Sequence, residues 1–253
     1  QIVFELAGDV DGDRLRRAAQ RLLDRHDNLR VAFAHDSRGL PVQVVHTHCT
    51  VPWREDVTDT PSSVMADERS RPFHMASAPL IRFALLRGAG TATLVVTNHH
   101  ILFDGWSMPI LIKELLVLYA ADTPIPVPVR RYRDYLVWLA ERDNSAVSRW
   151  TDHLAGLDEP TLLASSFAGT SALPQDIPVP VDGETLRATA DSLQVTVNTV
   201  VQTAWSILLS TVLSRSDVAF GGTVSGRPAD LTGATEMLGL FINTLPLRVR
   251  TGV

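Results

Sequence analysis

Residues 93–107 constrain the fold more than any other part of this chain. An apolar run at 93–97 is typical of a β-strand, and it leads directly to two adjacent histidines, His99 and His100. A short loop with Asp104 follows, and apolar residues then recur at helical spacing. A strand that ends in a loop of titratable side chains, just before a helix, is a common way to build a site.

The residues of this loop suggest different tasks. Neighbouring strand residues point to opposite faces, so we expect one of His99 and His100 to serve chemistry and the other to serve as scaffold. Ser107 fits a helix N-cap better than a nucleophile. Gly105 either provides a turn with positive φ or leaves room for a ligand, and both alternatives stay open. A metal site is disfavoured because the histidines are expected to diverge.

Composition favours an ordinary globular protein. Hydrophobic residues make up 45% and charged residues 20% of the sequence, which is ordinary for a globular protein. The length of 253 residues is enough for one large domain or two modest ones. The net charge of −5 disfavours nucleic acid and anionic membrane as partners. Cys49 is the only cysteine, which suits a reducing compartment. Without a membrane-length apolar run or a leader, we expect a cytoplasmic protein.

Periodicity predicts a mixed α/β protein. Strands are expected at 2–6, 29–33, 42–45, 79–86, 91–98, 217–224 and 245–249, and helices at 15–28, 107–120, 132–154, 184–193 and 199–213. The last helix is nearly apolar on all sides and is therefore expected to be buried. Residues 52–71 are expected to be partly helical, and 156–183 to form a linker.

Four segments resemble three motifs of the condensation domains of nonribosomal peptide synthetases. Residues 99–107 match the signature His-His-x-x-x-Asp-Gly-Trp-Ser. Residues 25–33 resemble Arg-His-Glu-x-Leu-Arg-Thr-x-Phe, with Asp and Val in place of Glu and Thr. Residues 224–228 and 239–246 resemble a further motif nearly letter for letter. The segments occur in the family's order over nearly the whole chain.

The resemblance implies a fold of two chloramphenicol acetyltransferase-like lobes in a V-shaped pseudo-dimer. Residues 1–160 would form the N-terminal lobe, which carries the histidine motif. Residues 161–253 would form a linker and the first part of the C-terminal lobe. Because family members extend beyond both ends of this sequence, we expect the 253 residues alone to be inactive, and to aggregate or to associate with a complementary chain.

The implied reaction is aminolysis of a thioester. Upstream and downstream peptidyl carrier proteins would present the substrates on phosphopantetheine arms, beside an adenylation domain in the same assembly line. No directly bound cofactor is implied. By its place in the motif, His100 is the implied catalytic residue, which orients the attacking amine and takes its proton.

The resemblance also assigns supporting roles. His99 and Asp104 are implied to be structural, with Arg30 as the first candidate partner of Asp104 and Arg25 as the second. A further group of candidates for the oxyanion site or the substrate channel comprises Gly105, Trp106 and Asn243.

Three alternatives remain, and a fourth is excluded. An epimerisation domain shares the histidine motif, but residues 226–228 and 241–244 favour condensation. A heterocyclising variant would carry Asp in place of the histidines, which this chain does not. A stand-alone thioester-dependent acyltransferase and an inactive, partner-recruiting module also remain open. Residues 224–228 and 239–246 look closer to members that follow an epimerisation step, which implies a D-configured donor.

Overall fold

A computed structural model describes residues 1–88, 90–142, 146–163 and 177–252. The chain forms two compact units, which are described separately: residues 1–142 with 225–242, and residues 143–224 with 243–253. This division differs from the predicted lobes 1–160 and 161–253. The reason is that residues 225–242 return to pack in the first unit.

A sheet of four strands organises the first unit. Its order is β1 (Ile2–Leu6), β6 (Ala92–Asn98), β5 (Ile81–Arg87) and β4 (Trp53–Val57). Only β4 and β5 pair in parallel. The predicted hairpin of β5 and β6 is confirmed. Strand β4 was not predicted, because this polar edge strand lacks the apolar run that marks its neighbours.

A separate hairpin and four helices complete the regular structure of the first unit. The hairpin pairs β2 (Val31–His35) with β3 (Pro41–Val45), as predicted. The helices are α1 (Gly12–Arg25), α2 (Pro61–Ser70), α3 (Met108–Ala121) and α4 (Tyr132–Ala140), with short 3-10 helices at Asp27–Arg30, Gly105–Ser107 and Ala234–Glu236. Helices α1 and α3 pack together and bury Leu22 and Leu111 in the core shared with the sheet. Because α3 follows the histidine loop, this packing fixes one end of that loop.

The second unit contains α5 (Ala146–Leu154), α6 (Gly183–Ser192), α7 (Val197–Leu213) and the antiparallel pair β7 (Asp217–Val224) and β8 (Asn243–Arg250). Both strands agree with the prediction. The single helix expected at 132–154 is instead two helices, α4 and α5, and residues 143–145 between them lie outside the described residues. Much of the predicted linker, residues 164–176, also lies outside them.

The prediction that the helix at 199–213 is buried is wrong. Helix α7 packs against α6 and β7 through one narrow face, where Ser206 and Leu209 are buried. Its other faces are open: Val201 is 52% exposed and Leu208 is 50% exposed. Apolar composition on all sides therefore did not determine burial within this unit.

Among the described residues, no single helix has the length and apolar composition needed to cross a membrane. Helices α6 and α7 reach that length and composition only when taken together, and they are bent by 96° at the break between them.

Candidate active site

The two histidines lie in a turn beyond the end of β6. The strand ends at Asn98, so alternation along a strand does not decide their directions. His99 is partly buried, and its backbone N–H donates to the carbonyl of Leu80 at 2.9 Å. Its ring Nδ1 accepts a hydrogen bond from the N–H of Ile101 at 3.1 Å. His100 is exposed. The two rings therefore have different surroundings, as the sequence predicted. The cause is the turn, and not the alternation of side chains along a strand.

Asp104 is a buried carboxylate that fastens the loop to a distant segment. Its Oδ2 accepts hydrogen bonds from the N–H groups of Phe241 at 2.9 Å and Ile242 at 3.1 Å. Its Oδ1 accepts from the N–H of Ser107 at 3.0 Å and lies 3.7 Å from Nη2 of Arg227. The carboxylate thus joins two of the motifs found in the sequence.

Both predicted partners of Asp104 were wrong. Arg30 donates to the carbonyl of Leu23 at 2.6 Å and to Asp27 at 2.8 Å, so its guanidinium closes the end of α1. Nε of Arg25 donates to Oε2 of Glu114 on α3 at 2.9 Å. These two arginines therefore stabilise the C-terminal end of α1 and its contact with α3. The cation beside Asp104 is instead Arg227, from the motif at residues 224–228.

The motif at residues 25–33 contacts the histidine loop through a residue that sequence reasoning missed. Asn28 is buried, and its Nδ2 donates to the carbonyl of Leu102. Its Oδ1 accepts from Nε2 of Gln43 on β3 at 3.0 Å. The motif therefore supports the loop through hydrogen bonds of the Asn28 side-chain amide and not through an ion pair.

Ser107 is a buried connector. It occupies the N-cap position of α3, as predicted, but its side chain makes no capping hydrogen bond to that helix. Its hydroxyl oxygen accepts from Nη2 of Arg227 at 2.8 Å and from the N–H of Gly239 at 3.1 Å. The hydroxyl hydrogen is within reach of the Gly239 carbonyl at 2.8 Å. No side-chain bond from Ser107 caps α3, and Asp104 caps the short 3-10 helix instead.

Gly239 is required because of an aromatic ring. A Cβ at this position would lie 2.2 Å from Cδ2 of Tyr132. The Tyr132 hydroxyl donates to the carbonyl of Leu240 at 2.6 Å, and burial raises the pKa of this hydroxyl, so it stays a donor. The ring also meets Phe241 edge-on, with centroids 5.3 Å apart. The segment 239–242 is thus held by α4 on one side and by Asp104 and Ser107 on the other.

Arg227 occupies a partly buried position between these groups. Its guanidinium lies 4.1 Å from the ring centroid of Phe241, and Nη1 donates to the carbonyls of Ala234 at 2.6 Å and Met237 at 3.1 Å. Burial lowers the pKa of Arg227, and the charge of Asp104 acts in the opposite direction. In the sequence this residue lies within a motif, but nothing there predicted its contact with Asp104.

The remaining candidates differ in their surroundings. Gly105 is exposed, its φ lies outside the left-handed region, and a Cβ there would meet no heavy atom within 4 Å. A positive-φ turn therefore does not explain this glycine. Trp106 is 53% exposed. Asn243 begins β8 and belongs to the second unit, where its Oδ1 accepts from the N–H of Thr244 at 2.8 Å.

Comparison with known proteins identifies the family. The family model for condensation domains matches residues 1–252, so the chain belongs to the condensation-domain family. Chondramide synthase cmdD of Chondromyces crocatus is 37% identical over 98% of this chain and 7% of its own length. The chain spans only 3–10% of the length of the first eight curated relatives that it matches, so it corresponds to one segment of much larger synthases and synthase subunits.

Two solved structures share the fold. The first condensation domain of the calcium-dependent antibiotic synthetase has a TM-score of 0.77 at 22% identity, over 98% of this chain and 62% of that chain. The X-domain from teicoplanin biosynthesis, in complex with OxyB, has a TM-score of 0.78 at 23% identity, over 100% of this chain and 60% of that chain. These likenesses confirm the mixed α/β, chloramphenicol acetyltransferase-like fold class.

We expect Asp104→Ala to destabilise the first unit by about 3–5 kcal/mol, because it leaves a partly buried arginine without its anion and backbone amides without their acceptor. Asp13→Ala is the control, since its ion pair with Arg16 has a similar length of 3.6 Å but is exposed. We expect that control to cost less than about 1 kcal/mol. Denaturant unfolding measures both, and equal stabilities for the two variants would contradict the role given to Asp104.

We expect Gly239→Ala and Gly105→Ala to have opposite effects on stability. The first places a methyl group against the Tyr132 ring and should cost about 1–3 kcal/mol through overpacking. The second meets open space at an ordinary φ and should be neutral or stabilising by up to about 1 kcal/mol. Thermal unfolding of the two variants tests this contrast, and a stable Gly239→Ala protein would show that the ring can move away.

Proposed function

We propose that this chain forms a peptide bond between two carrier-bound substrates, with His100 as the catalytic residue. The observation that supports this most is the exposed His100, carried on a turn whose following loop is fastened by the buried Asp104. In a member of the condensation-domain family, an exposed imidazole on a rigid loop suits a substrate that arrives from outside the fold.

In the proposed reaction, the α-amine of a downstream aminoacyl thioester attacks the carbonyl carbon of an upstream acyl or peptidyl thioester. A C–N bond forms, the C–S bond breaks, and the thiolate leaves with the electron pair of that bond. His100 takes the proton that the amine loses. Because an α-amine has a pKa of about 8 and a thiolate leaves readily, orientation of the two substrates is the larger contribution.

The open side of the loop is the proposed place for the reacting carbonyl. Gly105 leaves space where a side chain would stand, and its N–H is a candidate donor to the developing oxyanion. The exposed ring of Trp106 would border the approach to this space. Asn243 is proposed to have a role in substrate binding, on the basis of its motif.

The proposed partners are carrier proteins. Upstream and downstream peptidyl carrier proteins would deliver the substrates on phosphopantetheine arms, and an adenylation domain would serve the same assembly line. The small part of each relative that this chain matches supports this, because the remainder of such a synthase has room for these components. No cofactor held directly by the chain is needed for the reaction.

A second candidate is a module that recruits another protein without turnover. One structure of the same fold, the X-domain from teicoplanin biosynthesis, is a complex with OxyB. Multiple-turnover assays with two loaded carrier proteins separate the candidates: peptide formation favours the first, and stoichiometric binding without product favours the second.

In the intact protein, we expect His100→Ala to reduce peptide formation by about 100-fold or more while stability stays near that of the parent, because an exposed proton acceptor is lost. His99→Ala is the matched comparison and should lower stability more than turnover, since Nδ1 of His99 holds the turn. Product formation and thermal unfolding are measured for both. A folded but inactive His99 variant, beside an active His100 variant, would reverse the assignment.

We also expect a D-configured residue at the end of the donor. The basis is the resemblance of residues 224–228 and 239–246 to family members that follow an epimerisation step. The donor carrier protein is loaded with matched peptides that end in the L or the D form, and initial rates are compared. A clear preference for the L form would reject this expectation.

A further inference from the structure

We infer that Phe73 and Arg82 are positioning residues that hold the turn of His100 through the ring of His99. This inference rests on the proposed function, in which His100 is the catalytic group. The supporting residues lie in the segment after α2 and on β5, outside the three motifs found in the sequence.

His99 closes the turn around its neighbour. Its Nδ1 accepts from the N–H of Ile101 at 3.1 Å, and its carbonyl accepts from the N–H of Leu102 at 3.1 Å. These bonds reach past His100 on its C-terminal side. Because a backbone N–H can only donate, Nδ1 carries no proton in this arrangement, so the neutral ring holds its hydrogen on Nε2. The backbone of His100 is therefore set by where the His99 ring stands.

The ring of Phe73 limits how the His99 ring can tilt. The two centroids are 6.5 Å apart and the planes meet at 82°, an edge-to-face arrangement. Such contacts stabilise a defined ring orientation beyond simple burial. Phe73 follows α2 and is only partly buried, so its side chain needs support from elsewhere.

Arg82 gives that support. Its guanidinium lies 4.0 Å from the ring centroid of Phe73, within the range of a cation–π contact. Nη2 donates to the carbonyls of Glu68 at 2.8 Å and Arg71 at 2.9 Å, which fixes the plane of the guanidinium at the end of α2. Arg82 is itself buried on β5, opposite Thr97 on β6. The sheet that delivers the histidines therefore also carries their support.

Glu68 holds the guanidinium of Arg82 in place. Its buried carboxylate accepts from Nε of Arg82 at 3.1 Å, and it also accepts from Arg54 at 3.3 Å and Arg71 at 3.2 Å. A buried charge with several partners is costly to disturb, so the guanidinium of Arg82 has little freedom to move. The contacts run from α2 through Arg82 and Phe73 to the turn.

The test compares Phe73→Leu with Phe33→Leu in the intact protein. Both phenylalanines are partly buried against the same core, and within the described part of the chain Phe33 has no ring contact with a histidine. We expect Phe73→Leu to lower kcat by about 10–100-fold with little change in KM, because a displaced catalytic group loses its geometry. Phe33→Leu should stay within about twofold, and Phe73→Tyr should restore the rate because it keeps the ring.

A second measurement separates positioning from loss of fold. Diethylpyrocarbonate reacts with unprotonated imidazole nitrogens, and peptide mass spectrometry with fragmentation resolves the product at each histidine. We expect Phe73→Leu to raise the modification rate of His99 several-fold. Modification of the buried His26 should not change, since that residue reports opening of the whole unit.

Three results would overturn the inference: an unchanged His99 reactivity in Phe73→Leu, an unchanged kcat in that variant, or an equal rise in reactivity at His26. Loss of kcat together with faster modification at His99 alone, both reversed in Phe73→Tyr, supports it. Failure of the proposed function is seen separately, as full turnover by His100→Ala, and the His99 reactivities still show whether Phe73 holds the turn.

Discussion

The buried carboxylate of Asp104 is the interaction on which the first unit depends. A buried charge is tolerated only when hydrogen bonds and an opposite charge replace water. Here the N–H groups of Phe241 and Ile242 and the guanidinium of Arg227 do so. All three come from more than 120 residues further along the chain. The need to satisfy this charge is therefore a reason for residues 225–242 to return to the first unit.

The same network divides the loop into a fixed side and an open side. Asp104 and Ser107 are buried and form hydrogen bonds with the returning segment, whereas His100, Gly105 and Trp106 are exposed. The proposed function would use both properties. The hydrogen bonds on the buried side would keep the geometry of the loop, and the open side would leave space for a substrate.

The histidine pair shows how one residue type serves two purposes. The ring of His99 accepts a hydrogen bond that closes the turn, so its role is structural. Within the described residues, the ring of His100 makes no such hydrogen bond, and the residue is exposed. The stack of Arg82 and Phe73 extends this division of roles into the sheet and α2, since it orients the ring that shapes the turn.

The sequence by itself determined most of the local elements and the family. The hairpins of β2 with β3 and of β5 with β6 follow from apolar runs separated by turn residues, which are properties of neighbours in the chain. The tertiary structure alone decided that Arg227, and not Arg30, forms the ion pair with Asp104. It also placed the ring of Tyr132 in the space that a side chain at position 239 would occupy. It also decided that α7 has exposed apolar faces. Such pairings join residues that are far apart in sequence, so no periodicity records them, and burial depends on which surfaces the rest of the chain covers.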